Sequence, residues 1–257
     1  MHPHAETLWR GPRWTLAILL AVLGMLGPFS IDTYLPAFSG IASSLNASPV
    51  HMQQTLSAYL FGFAFMNLFH GALADSFGRR PVILWGLMAF TLASLGCALA
   101  QNVTQLIVFR AMQGLSCGAG VVVSRAIVRD IFPPTQAQKV MSQITIFFGL
   151  APAIAPIMGG WLFVSLGWHS IFWLLTAIGL ALWAVNFKML PESLHASQRQ
   201  PFSIPHLMRG YWQLCTDPRF LLLALASGIP FNGMFLYVLS APAFLGELLQ
   251  LQPTQFF

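Results

Sequence analysis

Seven long apolar stretches alternate along the chain with shorter polar connections. A helix needs about 20 mostly apolar residues to cross the hydrocarbon core of a bilayer, and each stretch reaches that length. Polar and apolar residues do not alternate at a period of two within them, so the strands of a membrane barrel are not indicated. The pattern predicts an all-α polytopic membrane protein. The seven predicted spans are Trp14–Tyr34, Gln53–Leu73, Val82–Ala100, Val103–Val123, Val140–Val164, Trp168–Phe187 and Phe220–Ser240.

The basic residues indicate how these spans are oriented. Eleven of the 12 Lys and Arg residues lie before the first span or in the connections that follow the second, fourth and sixth spans. The connections on the other side, Leu35–Met52, Gln101–Asn102 and Ser165–Gly167, contain no Lys or Arg. Positively charged loops remain in the cytoplasm. We therefore expect a multi-pass protein of the cell inner (cytoplasmic) membrane with a cytoplasmic N-terminus.

The composition excludes several classes of protein. Of the 257 residues, 56% are hydrophobic and only 7% are charged, whereas soluble domains carry roughly 25% charged residues. Neither a soluble enzyme nor a nucleic-acid-binding protein fits these values. The sequence also contains no nucleophile–base arrangement, metal-ligand cluster or phosphate-binding G-x-x-x-x-G-K pattern. We expect no enzymatic activity, no cofactor, no metal and no nucleic acid partner.

A long polar stretch, Lys188–Arg219, separates the sixth predicted span from the seventh. It contains four prolines, which favour turns over regular structure. We predict a six-helix bundle over 1–187, a cytoplasmic linker over 188–218, and the first helix of an incomplete second bundle over 219–257. The first and seventh spans share a faint Pro-Phe, Tyr and Pro-Ala-Phe pattern, as in transporters with duplicated halves. Because the chain stops soon after the seventh span, we expect a truncated form.

One charge, Arg110, lies well inside an apolar span. It comes about seven residues into the fourth span, which is roughly 10 Å from the end of that helix. An intramembrane charge costs at least about 2.5–3.5 kcal/mol to insert, so it is normally paired or functional. Gln113, Gly114 and Gly118 share its helix face, and the two glycines suit close helix packing. The alternative is that Arg110 extends to the membrane surface.

Asp32 is the one acidic residue within the body of a predicted span. It lies two residues before the predicted end of the first span, on the same side of the membrane as Arg110, which makes the two natural partners. A partly buried carboxylate can change its protonation, which suggests a site for a proton or a cationic substrate. The alternative is an interfacial carboxylate beside Pro36 that stays ionised.

The connection between the second and third spans combines small, acidic and basic residues. Gly71 permits close helix approach, Asp75 supplies an anion at the membrane boundary, and Gly78 permits a tight reversal of the chain. Arg79 and Arg80 then anchor the turn in the cytoplasm. Taken alone, such a cluster is also consistent with a simple topology signal.

Several of these segments resemble motifs of one transporter family. Gly71–Pro81 resembles the G-x-L-A-D-x-x-G-R-R/K signature loop of the major facilitator superfamily, and Arg110–Gly114 resembles its R-x-x-Q-G motif, which is linked in that family to proton coupling. Ser30–Ala37 resembles the D-x-Y-L-P-A signature of the bicyclomycin-resistance (Bcr/CflA) group of drug:proton antiporters, and Arg125–Asp130 and the region from Phe231 to Pro242 also look like that group.

The fifth span carries a weaker resemblance. Ala151–Gly160 is similar to the antiporter motif G-x-x-x-G-P-x-x-G-G, with alanines in place of its first two glycines. Pro152 and Pro156 each remove a backbone donor and bend a helix, while Gly159 and Gly160 keep the packing surface small. The alternative is a packing kink that any transporter of the superfamily could have.

The resemblance implies a fold of twelve helices in two halves with the substrate cavity between them. This chain would supply the six-helix N-terminal bundle and the first helix of the second bundle. The signature loop, including Gly71, Asp75, Gly78, Arg79 and Arg80, would contact the second half during alternating access. Either the missing C-terminal half or self-association would then complete the cavity.

The implied function is proton-coupled efflux of small drugs or metabolites across the cytoplasmic membrane, with multidrug or antibiotic resistance as its result. Asp32 and Arg110 would form the coupling pair, with Gln113 and Tyr34 in the same site. The expected partners are the lipid bilayer, protons and small hydrophobic or amphipathic drug-like substrates, and the proton-motive force would supply the energy. Two alternatives stay open: an uptake permease or facilitator, and a truncated fragment that transports nothing.

Overall fold

The computed structural model describes residues 9, 12–241, 244–245 and 249, and the secondary structure within these residues is helical. Arg10, Pro242 and the residues from 250 onward, which the sequence analysis also used, lie outside the described residues. The helices in chain order are α1 Arg13–Asp32, α2 Phe38–Ser44, α3 Pro49–Phe77, α4 Arg79–Ala98, α5 Val103–Ile131, α6 Pro134–Leu166, α7 His169–Met189, α8 Ile204–Thr216 and α9 Pro218–Ala241.

The described part of the chain contains six helical segments long and apolar enough to cross a membrane. They are formed by α1 together with α2, and by α3, α4, α5, α6 and α7, which correspond to the first six predicted spans. The helix predicted over Phe220–Ser240 is also present, as α9. The prediction of an all-α polytopic membrane protein is therefore confirmed.

The predicted end of the first span and the loop after it are corrected by the structure. Beyond Asp32 the chain continues through a 3₁₀ turn, Leu35–Ala37, and then α2, so that the first membrane segment extends to Ser44. The backbone N–H groups of Thr33 and Tyr34 still donate to carbonyls of α1. Pro36 lacks an N–H, and the tighter turn accommodates it without ending the helical path. Asp32 consequently lies within the segment rather than near its end.

Helix α5 occupies the centre of the bundle, where it packs against α3, α4 and α1. Helix α1 also packs against α6, and α4 packs against α7. Two glycines make close approaches possible. A Cβ at Gly114 of α5 would lie 2.0 Å from the carbonyl oxygen of Tyr59 in α3, and a Cβ at Gly159 of α6 would lie 2.1 Å from that of Thr33. These seams therefore require residues without a side chain.

Helix α6 runs through both of its internal prolines, Pro152 and Pro156. Pro156 is buried, as are Gly159 and Gly160 on the following turn. Ala151 and Ala155, which replace glycines of the resembled motif, are fully buried. A small side chain at these positions is therefore compatible with the contact that α6 makes with α1.

The stretch predicted as a polar linker contains a helix, α8. Ser203 precedes it, and its Oγ accepts a hydrogen bond from the backbone N–H of His206 at 3.4 Å. Proline at the second position of a helix is well tolerated because the first N–H groups have no partner within the helix, and Pro205 stands there. Pro205 thus begins a helix instead of preventing one.

Candidate functional site

The Arg110 side chain is fully buried between two aromatic rings. Its guanidinium carbon lies 4.5 Å from the ring centroid of Tyr34 and 4.3 Å from that of Tyr59. Cation–π contacts of this kind become stronger when the cation is removed from water. The charge is therefore held inside the bundle, and the alternative that Arg110 extends to the membrane surface does not describe this structure.

Hydrogen bonds fix one edge of the guanidinium. Nη1 donates to Gln113 Oε1 at 2.7 Å and to the Ser30 carbonyl at 3.2 Å. Gln113 is oriented in turn, because its Nε2 donates to Ser94 Oγ at 2.7 Å. Within the described structure, Arg110 Nε and Nη2 have no hydrogen-bond partner. A buried unpaired donor is costly, so these two atoms are suited to receive an acceptor.

The hydroxyl groups of the two tyrosines hold the rings in place. Tyr59 Oη donates to the Gly27 carbonyl at 3.0 Å and also lies 2.7 Å from Ser30 Oγ. Tyr34 Oη lies 2.6 Å from Thr55 Oγ1. The rings are therefore fixed by α1 and α3 before any ligand binds.

Asp32 does not join this cluster in the structure. Its side chain is buried, with 5% exposed, and it forms neither an ion pair with Arg110 nor a hydrogen bond with any other described residue. Positions two apart differ by about 200° around a helical backbone. Because Tyr34 faces Arg110, Asp32 is directed elsewhere. Of the four predicted residues of this site, the structure brings together Arg110, Gln113 and Tyr34.

The signature loop forms a second polar cluster. Arg79 is 8% exposed, and its guanidinium bridges two carboxylates, Asp75 at 2.5 Å and Asp130 at 3.1 Å. Gly78 has a φ of +105°, a conformation that residues with a Cβ rarely adopt. Ser193 Oγ donates to Asp130 Oδ2 at 2.9 Å. The cluster joins the end of α3 to α5 and to the segment after α7.

Glu192 occupies the N-terminus of α4, where backbone N–H groups lack partners within the helix. Its carboxylate accepts from the N–H of Arg79 at 2.9 Å and from the N–H of Arg80 at 3.3 Å. The Arg80 guanidinium donates to the Phe187 carbonyl at 2.6 Å and lies over the Phe187 ring. Both arginines of the loop are thus bound to the chain around the end of α7.

The two remaining glycines of the predicted site lie in the seam between α3 and α5. A Cβ on Gly118 would lie 2.1 Å from Asn67 Oδ1, whereas one on Gly71 would reach Val122 at an ordinary distance of 3.9 Å. Only Gly118 is therefore at a position without room for a side chain. Glycine at 71 leaves space in the same seam.

Sequence reasoning did not single out several residues of the two clusters. Tyr59, Ser30 and Ser94 carry no charge, and nothing in their spacing distinguishes them from core residues. Asp130 lies in a segment that resembles the antiporter group, and Glu192 lies in the stretch predicted as a polar linker. An acidic residue directly after a span, facing the first N–H groups of another helix, is the signal that would have found Glu192.

Comparisons with known proteins match the chain to one family. The family model described as Major Facilitator Superfamily matches residues 11–257. A bicyclomycin resistance protein homolog of Haemophilus influenzae is 38% identical over 86% of this chain and 56% of that protein. The multidrug resistance protein MdtL of Escherichia coli is 36% identical over 68% of this chain and 45% of that protein. The chain spans about half the length of these curated relatives.

Solved structures support the same fold. A bacterial homolog of the human lysosomal transporter Spinster, in an inward-facing and unoccupied conformation, matches with a TM-score of 0.74 and 14% sequence identity. The match covers 99% of this chain and 58% of that one. At this level of identity the likeness concerns the arrangement of the helices alone.

Proposed function

The chain belongs to the Major Facilitator Superfamily, and we propose that it forms part of a proton-coupled exporter of small drugs or metabolites. The observation that carries the proposal is the Arg110 site, in which a fully buried cation has two donor atoms without a partner among the described residues. The substrate class is suggested by two relatives, which are named for resistance to bicyclomycin and to multiple drugs.

Asp32 is the proposed proton carrier. An ionised carboxylate 4 Å from the guanidinium would be attracted by about 4 kcal/mol at an effective dielectric constant of 20, and protonation removes that attraction. One charge moved through 100 mV is worth about 2.3 kcal/mol, so the two energies are of the same order. A proton on Asp32 could therefore shift the population between two conformations. We assign this structure, in which Asp32 is apart from Arg110, to the form that carries a proton on Asp32.

The proposal places the protein in the cytoplasmic membrane with its N-terminus inside, because the Lys and Arg residues are concentrated on one side of the predicted spans. The substrate path requires a second set of helices facing this bundle. A second bundle of the same protein or a second copy of the chain would supply it. The proton-motive force would drive export without any bound cofactor.

The test is drug-stimulated proton movement in inverted membrane vesicles. Two proteins are compared: the 257-residue chain, and a chimera that continues it with the remaining part of the Haemophilus influenzae relative. In whichever protein is active, Asp32→Asn should abolish proton movement, because the side chain can no longer ionise. The matched control is Asp217→Asn, an exposed acid outside the spans. Full proton movement in Asp32→Asn would refute the assignment.

A further inference from the structure

Helix α8 has an apolar side and a polar side. Its apolar residues recur every three or four positions and occupy less than half of the circumference, as in helices that lie at a membrane surface. The apolar side consists of Ile204, Leu207, Met208, Tyr211, Trp212, Leu214 and Cys215, and the polar side carries His206, Arg209, Gln213 and Thr216.

One strip of the apolar side is uncovered in the described structure. We call Ile204, Met208, Trp212 and Cys215 the outer stripe; the exposed fractions of its first three members are 55%, 43% and 73%, and Cys215 is also exposed. Leu207, Gly210 and Tyr211, along the adjacent edge, are partly buried. The helix therefore contacts the bundle with one edge and presents its outer stripe away from it.

A hydrogen bond sets the level of α8 relative to the bundle. The Tyr211 hydroxyl donates to the Leu68 carbonyl of α3. Helix α3 has 29 residues and is therefore about 43 Å long, so each end extends about 7 Å beyond a 30 Å hydrocarbon core. Leu68 lies nine residues before the end of α3 at Phe77, about 14 Å from it, which places the contact about 7 Å inside the core. Amphipathic helices at membrane surfaces bury their apolar face about 5–10 Å.

The charge on α8 also fits a membrane surface. The helix contains Arg209 and no acidic residue, and Arg219 follows it, with Asp217 between the two helices. Cytoplasmic leaflets carry anionic lipids that attract such cations. Trp212, the most exposed member of the outer stripe, is of the residue type enriched at the boundary between head groups and acyl chains.

We propose that α8 lies on the bilayer surface, with the outer stripe among the upper acyl chains and Arg209 at anionic head groups. The leaflet is the one on the side of Arg79 and Arg80. The hydrogen bond from Tyr211 to the Leu68 carbonyl holds the edge of α8 about 7 Å inside the hydrocarbon core, which is within the depth at which amphipathic surface helices bury their apolar face. This interaction does not depend on the transport activity proposed above.

The native cysteine makes the proposal testable in the full chain. Cys215 is exposed, whereas Cys97 and Cys117 are buried, so a nitroxide reagent attaches selectively at Cys215. The matched control carries Cys215→Ser with Gln213→Cys, which places the label on the polar side of the same helix. Both proteins are reconstituted in phosphatidylcholine vesicles with and without phosphatidylglycerol. Collision with oxygen, which is concentrated in acyl chains, and with a water-soluble nickel complex is measured by electron paramagnetic resonance.

The proposal expects the label at position 215 to collide with oxygen and not with nickel, and the label introduced by Gln213→Cys to show the reverse. In the vesicles that contain phosphatidylglycerol, adding Arg209→Gln should move the 215 label toward water. Its rate of collision with nickel should therefore rise severalfold. Equal nickel access at both positions would overturn the proposal. Protection of the 215 label from both reagents would also overturn it, because protein rather than lipid would then cover the outer stripe.

Discussion

Tyr59 holds the Arg110 guanidinium on one side while its hydroxyl is bound to α1. Tyr59→Phe keeps the ring 4.3 Å from the cation but removes the contacts of the hydroxyl with Gly27, Ser30 and Cys117. Ser30 Oγ still donates to the Gly27 carbonyl, so we expect a loss of only about 1 kcal/mol of stability. Thermal unfolding of the purified protein in detergent measures it. An unfolding midpoint equal to that of the unchanged protein would show that the Tyr59 hydroxyl contributes nothing to stability.

The Arg110 site was partly predictable because a charge in an apolar span is conspicuous. Gln113 followed from its position three residues later on the same helix face, and Tyr34 followed from the resemblance of its segment to a known signature. The separation of Asp32 from Arg110 did not follow, since it depends on Asp32 and Tyr34 lying on different faces of a helical path that the sequence predicts to end at Tyr34. Tyr59 was not predictable, because an aromatic residue in a span is ordinarily a core or lipid-facing residue.

At the scale of helices, the seam between α3 and α5 depends on Gly114. Gly114→Ala would place a methyl group 2.0 Å from the Tyr59 carbonyl oxygen, which is rigid backbone within α3. We expect the helices to separate, Tyr59 to move from Arg110, and stability to fall by about 1–3 kcal/mol, the usual cost of overpacking.

The control for this substitution is Gly149→Ala in α6, where an added Cβ meets no described residue within 4 Å. Alanine favours helix over glycine by up to about 1 kcal/mol, so this variant should be unchanged or more stable. The pair is compared by unfolding midpoint and by yield of folded protein. Equal effects of the two substitutions would mean that the approach at Gly114 is not tight.

Glu192 links the segment after α7 to the first turn of α4. Glu192→Ala would leave the N–H groups of Arg79 and Arg80 without this acceptor and remove a negative charge from a helix N-terminus. We expect a loss of about 1 kcal/mol and faster hydrogen exchange at those two amides. Glu192→Gln, which keeps an acceptor oxygen, should retain most of the protection. Unchanged exchange in the alanine variant would contradict the capping role.

The apolar pattern located the membrane helices well but described their connections poorly. Six long spans follow directly from the length of the apolar stretches, because water is excluded from the bilayer core and only helices of that length satisfy their own backbone. The sequence predicts loops both for the segment after Tyr34 and for the stretch that contains α8, and for that second stretch the prediction rests on its prolines. In each case Pro36 or Pro205 stands at the first or second position of a helical turn, where it is tolerated.

At the scale of the whole molecule, contacts distant in sequence define the two ends of the bundle. Arg79 binds Asp130, and Arg80 binds the Phe187 carbonyl, so the ends of α3, α5 and α7 meet at one end. At the other end Trp168 Nε1 donates to Ser44 Oγ at 3.2 Å. The basic residues that follow these helix ends therefore share one end of the bundle in space as well as in sequence, and this is the end that the proposed orientation places in the cytoplasm.

This orientation predicts which thiols a membrane-impermeant maleimide reaches in intact cells. The background is Cys215→Ser, since Cys97 and Cys117 are buried. Gln101→Cys lies in an exposed connection at the end with few charges, and Gln198→Cys lies in an exposed segment at the basic end. We expect the first to react in intact cells and the second only after permeabilisation. The reverse result would place Arg79, Arg80 and the N-terminus outside. Asp32 and Arg110 would then lie nearer the cytoplasm. Protons driven inward by the membrane potential would reach Asp32 from the face of the protein opposite to the one that proton-driven export requires.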